Sequence, residues 1–171
     1  MEFGHKYEEP VAAPGHKAPG FALKDEEGRS VSLYDFIDGH SVVLVFIRDV
    51  DDAHTGELLD YLKDSYPRIR YHKGDVLAIS PGSVDFNRKL FEKHKPPFHI
   101  LSDEDCSALK KYGIYNEYDK LVGPCIFVLN RAGIIMYSYE GKNPEDIVSM
   151  SDVIAVLHDA MISPLDREYE I

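Results

Sequence analysis

The sequence predicts an α/β domain with a mixed central β-sheet and helices on both faces. Short β-branched apolar runs alternate with segments of helical period along most of the chain. The runs Val42 to Ile47 and Val76 to Ile79 are apolar throughout, the pattern of strands covered on both faces. A hairpin signal precedes the last helix, and a hairpin added to parallel strands makes the sheet mixed.

The elements follow in order. Residues 1–14 carry Pro10, Pro14 and Gly4 without periodicity and read as an extended arm. Residues 15–162 form the domain. Phe21-Ala22-Leu23 and Ser30-Val31-Ser32-Leu33 flank the turn signal Asp25-Glu26-Glu27-Gly28 and predict a hairpin. After the strand at 42–47, Leu58, Leu59 and Leu62 stand at helical spacing over 55–66, and Pro67 should stop that helix. The strand at 76–79 comes next. Ser83 can cap a helix carrying Phe86, Leu90 and Phe91. His99-Ile100-Leu101 is extended. Asp103 or Asp105 can cap a helix through Leu109 and Tyr112, ended by Gly113. Ile126 to Leu129, the turn Asn130-Arg131-Ala132-Gly133 and Ile134 to Tyr137 make the clearest hairpin. Pro144 opens a last helix with Ile147, Val148, Val153, Ile154 and Leu157 inward. Residues 163–171, with Pro164 and Asp166-Arg167-Glu168, read as a loose tail.

Composition excludes several classes. The chain has 171 residues, 44% of them hydrophobic, which fits one globular domain rather than a disordered chain. Its net charge of −11 argues against nucleic acid as a partner, which calls for a basic patch. No apolar run approaches the ~18 residues of a membrane span. Met1 to Lys6 are not followed by the apolar run of a secretory signal. Two cysteines, Cys106 and Cys125, cannot build a disulfide scaffold, which points to a reducing, cytoplasmic setting.

A family resemblance then becomes specific. Gly15-His16-Lys17-Ala18-Pro19-Gly20-Phe21-Ala22-Leu23-Lys24-Asp25, then Gly28 to Leu33 and Asp35-Phe36, resembles the opening of the peroxiredoxin (AhpC/TSA) family. That opening reads Gly-x-x-Ala-Pro-x-Phe-x-Leu, then a Gly turn and Val-x-Leu-x-Asp. Phe98-His99-Ile100-Leu101-Ser102-Asp103 with Tyr112-Gly113-Ile114 is similar to the family's Phe-x-Leu-Leu-Ser-Asp and Tyr-Gly-Val. Phe127-Val128-Leu129-Asn130 with Gly133 is similar to its Phe-Val-Ile-Asp-x-x-Gly. The resemblance implies a thioredoxin-like fold with an N-terminal hairpin extension, a redox or antioxidant role, and no cofactor. It also implies a homodimer, or another redox protein as partner.

The family's signature, Pro-x-x-x-Thr/Ser-x-x-Cys, falls on Ile47 to His54 when aligned on Glu57-Leu58. Ile47 then stands for the Pro, Asp51 for the Thr/Ser and His54 for the peroxidatic Cys. Pro124 stands where the family carries its active-site Arg. Cleaving an O–O bond needs a soft thiolate that leaves as a sulfenic acid, and imidazole cannot hold the transferred oxygen that way. The expectation is therefore a relative without the ordinary catalytic residues, acting through binding.

Two alternatives remain open. Cys125, or a Cys106/Cys125 pair, could serve as a relocated thiol, with Pro124 as a cis-proline beside it, though a small buried strand cysteine is the plainer reading. His54 with Asp51 and Asp52 could hold a metal, although the spacing matches no defined loop and a solvated, helix-capping acidic loop is favoured. Tyr112, Tyr115 and Tyr118 recur every third residue and either cover the sheet end or form an interface patch.

Overall fold

A computed structural model describes residues 12–49 and 53–162. The arm up to residue 11, the tail 163–171, and Val50, Asp51 and Asp52 lie outside the described residues.

The strands are β1 (Ala22–Lys24), β2 (Ser30–Ser32), β3 (Ser41–Phe46), β4 (Gly74–Ser80), β5 (His99–Ser102), β6 (Cys125–Leu129) and β7 (Ile135–Glu140). The helices are α1 (Leu33–Ile37), α2 (Ala53–Tyr71), α3 (Val84–His94), α4 (Ser107–Lys111) and α5 (Met150–Ile162). The strands form one sheet in the order β2-β1-β5-β4-β3-β6-β7. β3, β4 and β5 run parallel, while β1, β6 and β7 join antiparallel, so the sheet is mixed as expected.

Strand alternation sorts the core into two layers. Val42, Leu44 and Phe46 of β3 join Cys125, Phe127 and Leu129 of β6 on the face covered by α1 and α4. Val43, Val45, Ile126 and Val128 point to the other face, against Leu58, Leu59 and Leu62 of α2 and Val153 and Leu157 of α5. The segment ahead of β1 is tied down rather than loose. Gly15 N donates to the Ile135 carbonyl, and Ile135 N donates to that of His16.

Two local expectations give way to tertiary contacts, and one helix is added. Pro67 does not stop α2, which runs on to Tyr71. A proline inside a helix costs about 3 kcal/mol. The turn beyond it is held by Ile69, fully buried, by Tyr66 Oη donating to Asp75 Oδ1 at 2.9 Å, and by Arg70 donating to the Gly74 carbonyl at 3.3 Å. Pro144 does not open α5, which begins at Met150. The intervening loop is fixed instead by Asp146, whose carboxylate accepts from the Lys142 N–H and the Tyr139 hydroxyl, and by buried Val148. A short helix, α1, fills the stretch of Asp35-Phe36, with Leu33 and Ile37 inward.

Caps fall close to where the sequence places them. Ser83 Oγ accepts from Phe86 N at 3.2 Å, opening α3. The Asp103 carboxylate, 1% exposed, accepts from Ala108 N and Leu109 N at the start of α4. Asn87 is the fully buried residue of α3 and Leu90 and Phe91 pack partly buried against the core, while Phe86 is half exposed.

Candidate functional site

The parallel strands deliver their carboxyl ends to one edge of the domain, where open α/β sheets bind ligands. β3 leaves the sheet through Ile47, whose N–H still donates to the Ile79 carbonyl at 2.8 Å. Ile47 is 1% exposed in the α2 layer and is a core residue. Arg48 and Asp49 follow. α2 then begins, with His54 in its first turn, and the Thr55 hydroxyl donates back to the Asp49 carbonyl.

The segment ahead of β6 arrives alongside. Gly123 and Gly141 let it lie against the loop after β7: a Cβ on Gly123 would meet the Asn143 carbonyl oxygen at 2.4 Å, and one on Gly141 would meet that of Pro124 at 2.7 Å. This backbone approach brings Pro124 and Pro144 beside His54. Arg48, His54, Thr55, Leu58, Pro124 and Pro144 line a crevice of only about 10 Å³. That is at most the room of one water molecule.

The structure thus brings His54 and Pro124 to one crevice, and Ile47 lies next in the chain to Arg48 of the crevice wall. Asp51 lies outside the described residues. Arg48, Thr55 and Pro144 belong to the same place but carry no local signal that assigns them to it.

His54 makes ion-pair contacts on both ring nitrogens. Nδ1 lies 3.7 Å from Glu57 and Nε2 lies 3.6 Å from Glu145. The two carboxylates are more than three-quarters exposed or close to it, and they sit on opposite sides of the ring. Among the described residues they do not form a group of three ligand atoms close enough to share one ion. Asp52, the remaining candidate ligand, is outside the described residues with Asp51.

No sulfur lines this crevice among the described residues. Cys125 begins β6 opposite Phe46 of β3, and its side chain packs with Phe46 and Phe127 in the α1/α4 layer. Leu58 of the crevice packs in the α2/α5 layer. The sulfur therefore lies across the sheet from His54. Burial pushes the Cys125 thiol up to about 12, helped by the Glu140 carboxylate and opposed by the Gly141 backbone N–H. Cys106 caps α4 in a left-handed conformation, φ 58°, and burial and the charge of Asp103 raise its thiol as well. Both thiols are free and buried in the same apolar layer. The peptide bond before Pro124 is trans, so the cis-proline option falls away.

A larger space lies beside the crevice. A cleft of about 540 Å³ opens between the ends of β3 and β4, α3 and the loop ahead of β6. Its walls include Arg48, Asp49, Ser83, Phe86, Tyr118 and Lys120. Arg48 thus borders both spaces. Of the tyrosine series, Tyr112 is in the core, stacked edge-on to Phe127 at 5.0 Å, while Tyr118 is 94% exposed at the cleft rim.

Comparison with known proteins decides the family. The AhpC/TSA family model matches residues 14–138. The chain belongs to the AhpC/TSA family. It is 30% identical over 129 residues to putative peroxiredoxin Q, chloroplastic, of Oryza sativa subsp. indica, covering 75% of this chain and 59% of the rice protein. It is 31% identical over 129 residues to peroxiredoxin Q, chloroplastic, of Sedum lineare, covering 75% of this chain and 69% of that protein. The structure of peroxidoxin BcpB from Mycobacterium tuberculosis superposes with a TM-score of 0.74 at 18% identity, over 84% of this chain and 95% of that one. This likeness places the fold among thioredoxin-like peroxiredoxin structures. No helix of the described residues is long and apolar enough to cross a membrane.

Proposed function

We propose that this AhpC/TSA member does not reduce peroxide at the family's site and acts through binding. The observation that carries this reading is the crevice at His54. It offers imidazole in place of a thiol and room for about one water, so no sulfur is there to accept an oxygen from peroxide. Both thiols are buried and pushed toward the protonated, unreactive form. The adjoining cleft supplies the space for a partner or ligand, and its volume lies in the usual range for small-molecule sites. Phe86 and Tyr118 offer apolar and aromatic contact there, and Arg48 and Lys120 beside Asp49, Glu104 and Asp119 offer charge of both signs.

The test is direct. Purified protein given hydrogen peroxide and a dithiol reductant should show no turnover above the reaction without protein. Rapid, peroxide-dependent loss of the Cys125 thiol would overturn the proposal and favour a relocated peroxidatic cysteine.

A further inference from the structure

At the opposite side of the sheet from β7, three potential ligand side chains converge. Asp25 and Glu26 occupy the turn between β1 and β2 and are 2% and 3% exposed. His99 opens β5, which pairs with β1. His99 Nδ1 lies 3.0 Å from Glu26 Oε1 and 3.6 Å from Asp25 Oδ2. All three ligand atoms lie within 4.8 Å of one another.

Each carboxylate is oriented by hydrogen bonds on its far side. Asp25 Oδ1 accepts from the N–H groups of Glu27 and Arg29, both at 2.9 Å. Glu26 Oε2 accepts from Ile100 N at 3.2 Å. That leaves Glu26 Oε1 and Asp25 Oδ2 turned toward the same ring nitrogen. Among the described residues Asp25 Oδ2 accepts no hydrogen bond. It faces the gap between the three groups, with His99 Nδ1 3.6 Å away and beyond hydrogen-bond reach.

The geometry points to a divalent transition-metal site, of the type that takes zinc, formed by Asp25 Oδ2, Glu26 Oε1 and His99 Nδ1. Zinc sits about 2.0–2.2 Å from such nitrogen and oxygen ligands, so neighbouring ligands of a tetrahedral ion stand about 3.3 Å apart. The separations of 3.0 and 3.6 Å from His99 Nδ1 fall on either side of that value. One imidazole and two carboxylates suit a borderline cation, and the partly exposed imidazole leaves a side open for a fourth ligand. The charge balance agrees. Two buried carboxylates against one imidazole cannot be neutral, whereas a divalent ion balances both. The other charged groups nearby are Asp75 of β4, which adds negative charge, and Arg88 of α3, whose Nε donates to the Glu26 carbonyl. Such an ion would clamp the β1–β2 turn to β5.

The experiment uses the full chain without a histidine tag, cleared of metal by a chelator and titrated calorimetrically with zinc chloride. One equivalent should bind, and zinc should raise the melting temperature. His99→Gln and Glu26→Gln should each weaken binding at least tenfold and abolish the thermal shift, while His54→Gln should leave both unchanged. His99 is partly exposed, so its variant should fold even if the Glu26 variant does not, and circular dichroism checks this. Absence of a one-equivalent site would overturn the assignment. So would binding that survives His99→Gln, or that is lost in His54→Gln.

Discussion

His54 and His99 each lie within 4 Å of two carboxylates, yet the two regions are built for opposite ends. At His54 the acids approach different ring nitrogens from the solvent. At His99 they approach one nitrogen from within the fold, and each is held on its far side by backbone N–H groups. Residue type and proximity are the same in both places. Convergence on a single ring nitrogen, burial and hydrogen bonds on the far side of each acid are what differ, and these properties separate a surface ion pair from a ligand set. The His54 crevice is closed by Leu58, Pro124 and Pro144 together with the polar Arg48 and Thr55.

The largest expected effect concerns the sulfur hidden across the sheet from His54. With a thiol near 12, Cys125 should label with iodoacetamide at pH 8 on the order of 10³ times more slowly than an unfolded cysteine, counting thiolate fraction alone. The linkage has a definite sign. The folded pKa is raised, so this thiol holds its proton in the native state while the unfolded one loses it. Its contribution is flat below about pH 8.5, and stability should fall as pH rises from there toward 12. Denaturant midpoints across that range check it. Labelling at the unfolded rate would return Cys125 to the list of working thiols and blur the contrast between the two histidine regions.

Next comes the floor of the crevice. Leu58→Ala removes a side chain 1% exposed and should cost about 2–5 kcal/mol in urea unfolding. A much smaller loss would mean the crevice is loosely closed and could open to a substrate. The smallest effects sharpen the comparison itself. Asp25→Ala strips the acceptor from two turn N–H groups and should cost about 1–3 kcal/mol, whereas Glu57→Ala beside His54 should cost at most about 1 kcal/mol. Equal losses would show that the two acid pairs are not structurally distinct.

Much of the architecture was legible along the chain. The all-apolar runs at 42–47 and 76–79 are central strands because only such strands need both faces covered. Asn130 to Gly133 turns as expected, with Asn130 Oδ1 accepting from Ala132 N and Ile134 N and Gly133 at φ 81°. Helix ends were less legible. Pro67 and Pro144 are local stop and start signals, and the contacts of Tyr66, Ile69, Asp146 and Val148 outweigh them. At the site, alignment could pair His54 with Pro124, but nothing nearby in sequence marks Arg48 or Pro144 as their neighbours.

By itself the sequence determined the central strands and the longer helices, the buried face of most of them, and that position 54 holds an imidazole. Those properties depend on periodicity and residue chemistry within a few residues. Only the tertiary structure decided that the Cys125 sulfur faces away from His54, and that His99 meets a carboxylate 73 residues earlier. The pleat assigns alternate side chains to opposite faces of the sheet, and β5 pairs with β1 across a long excursion of the chain. Such meetings arise from sheet order, and sheet order depends on the packing of the whole domain.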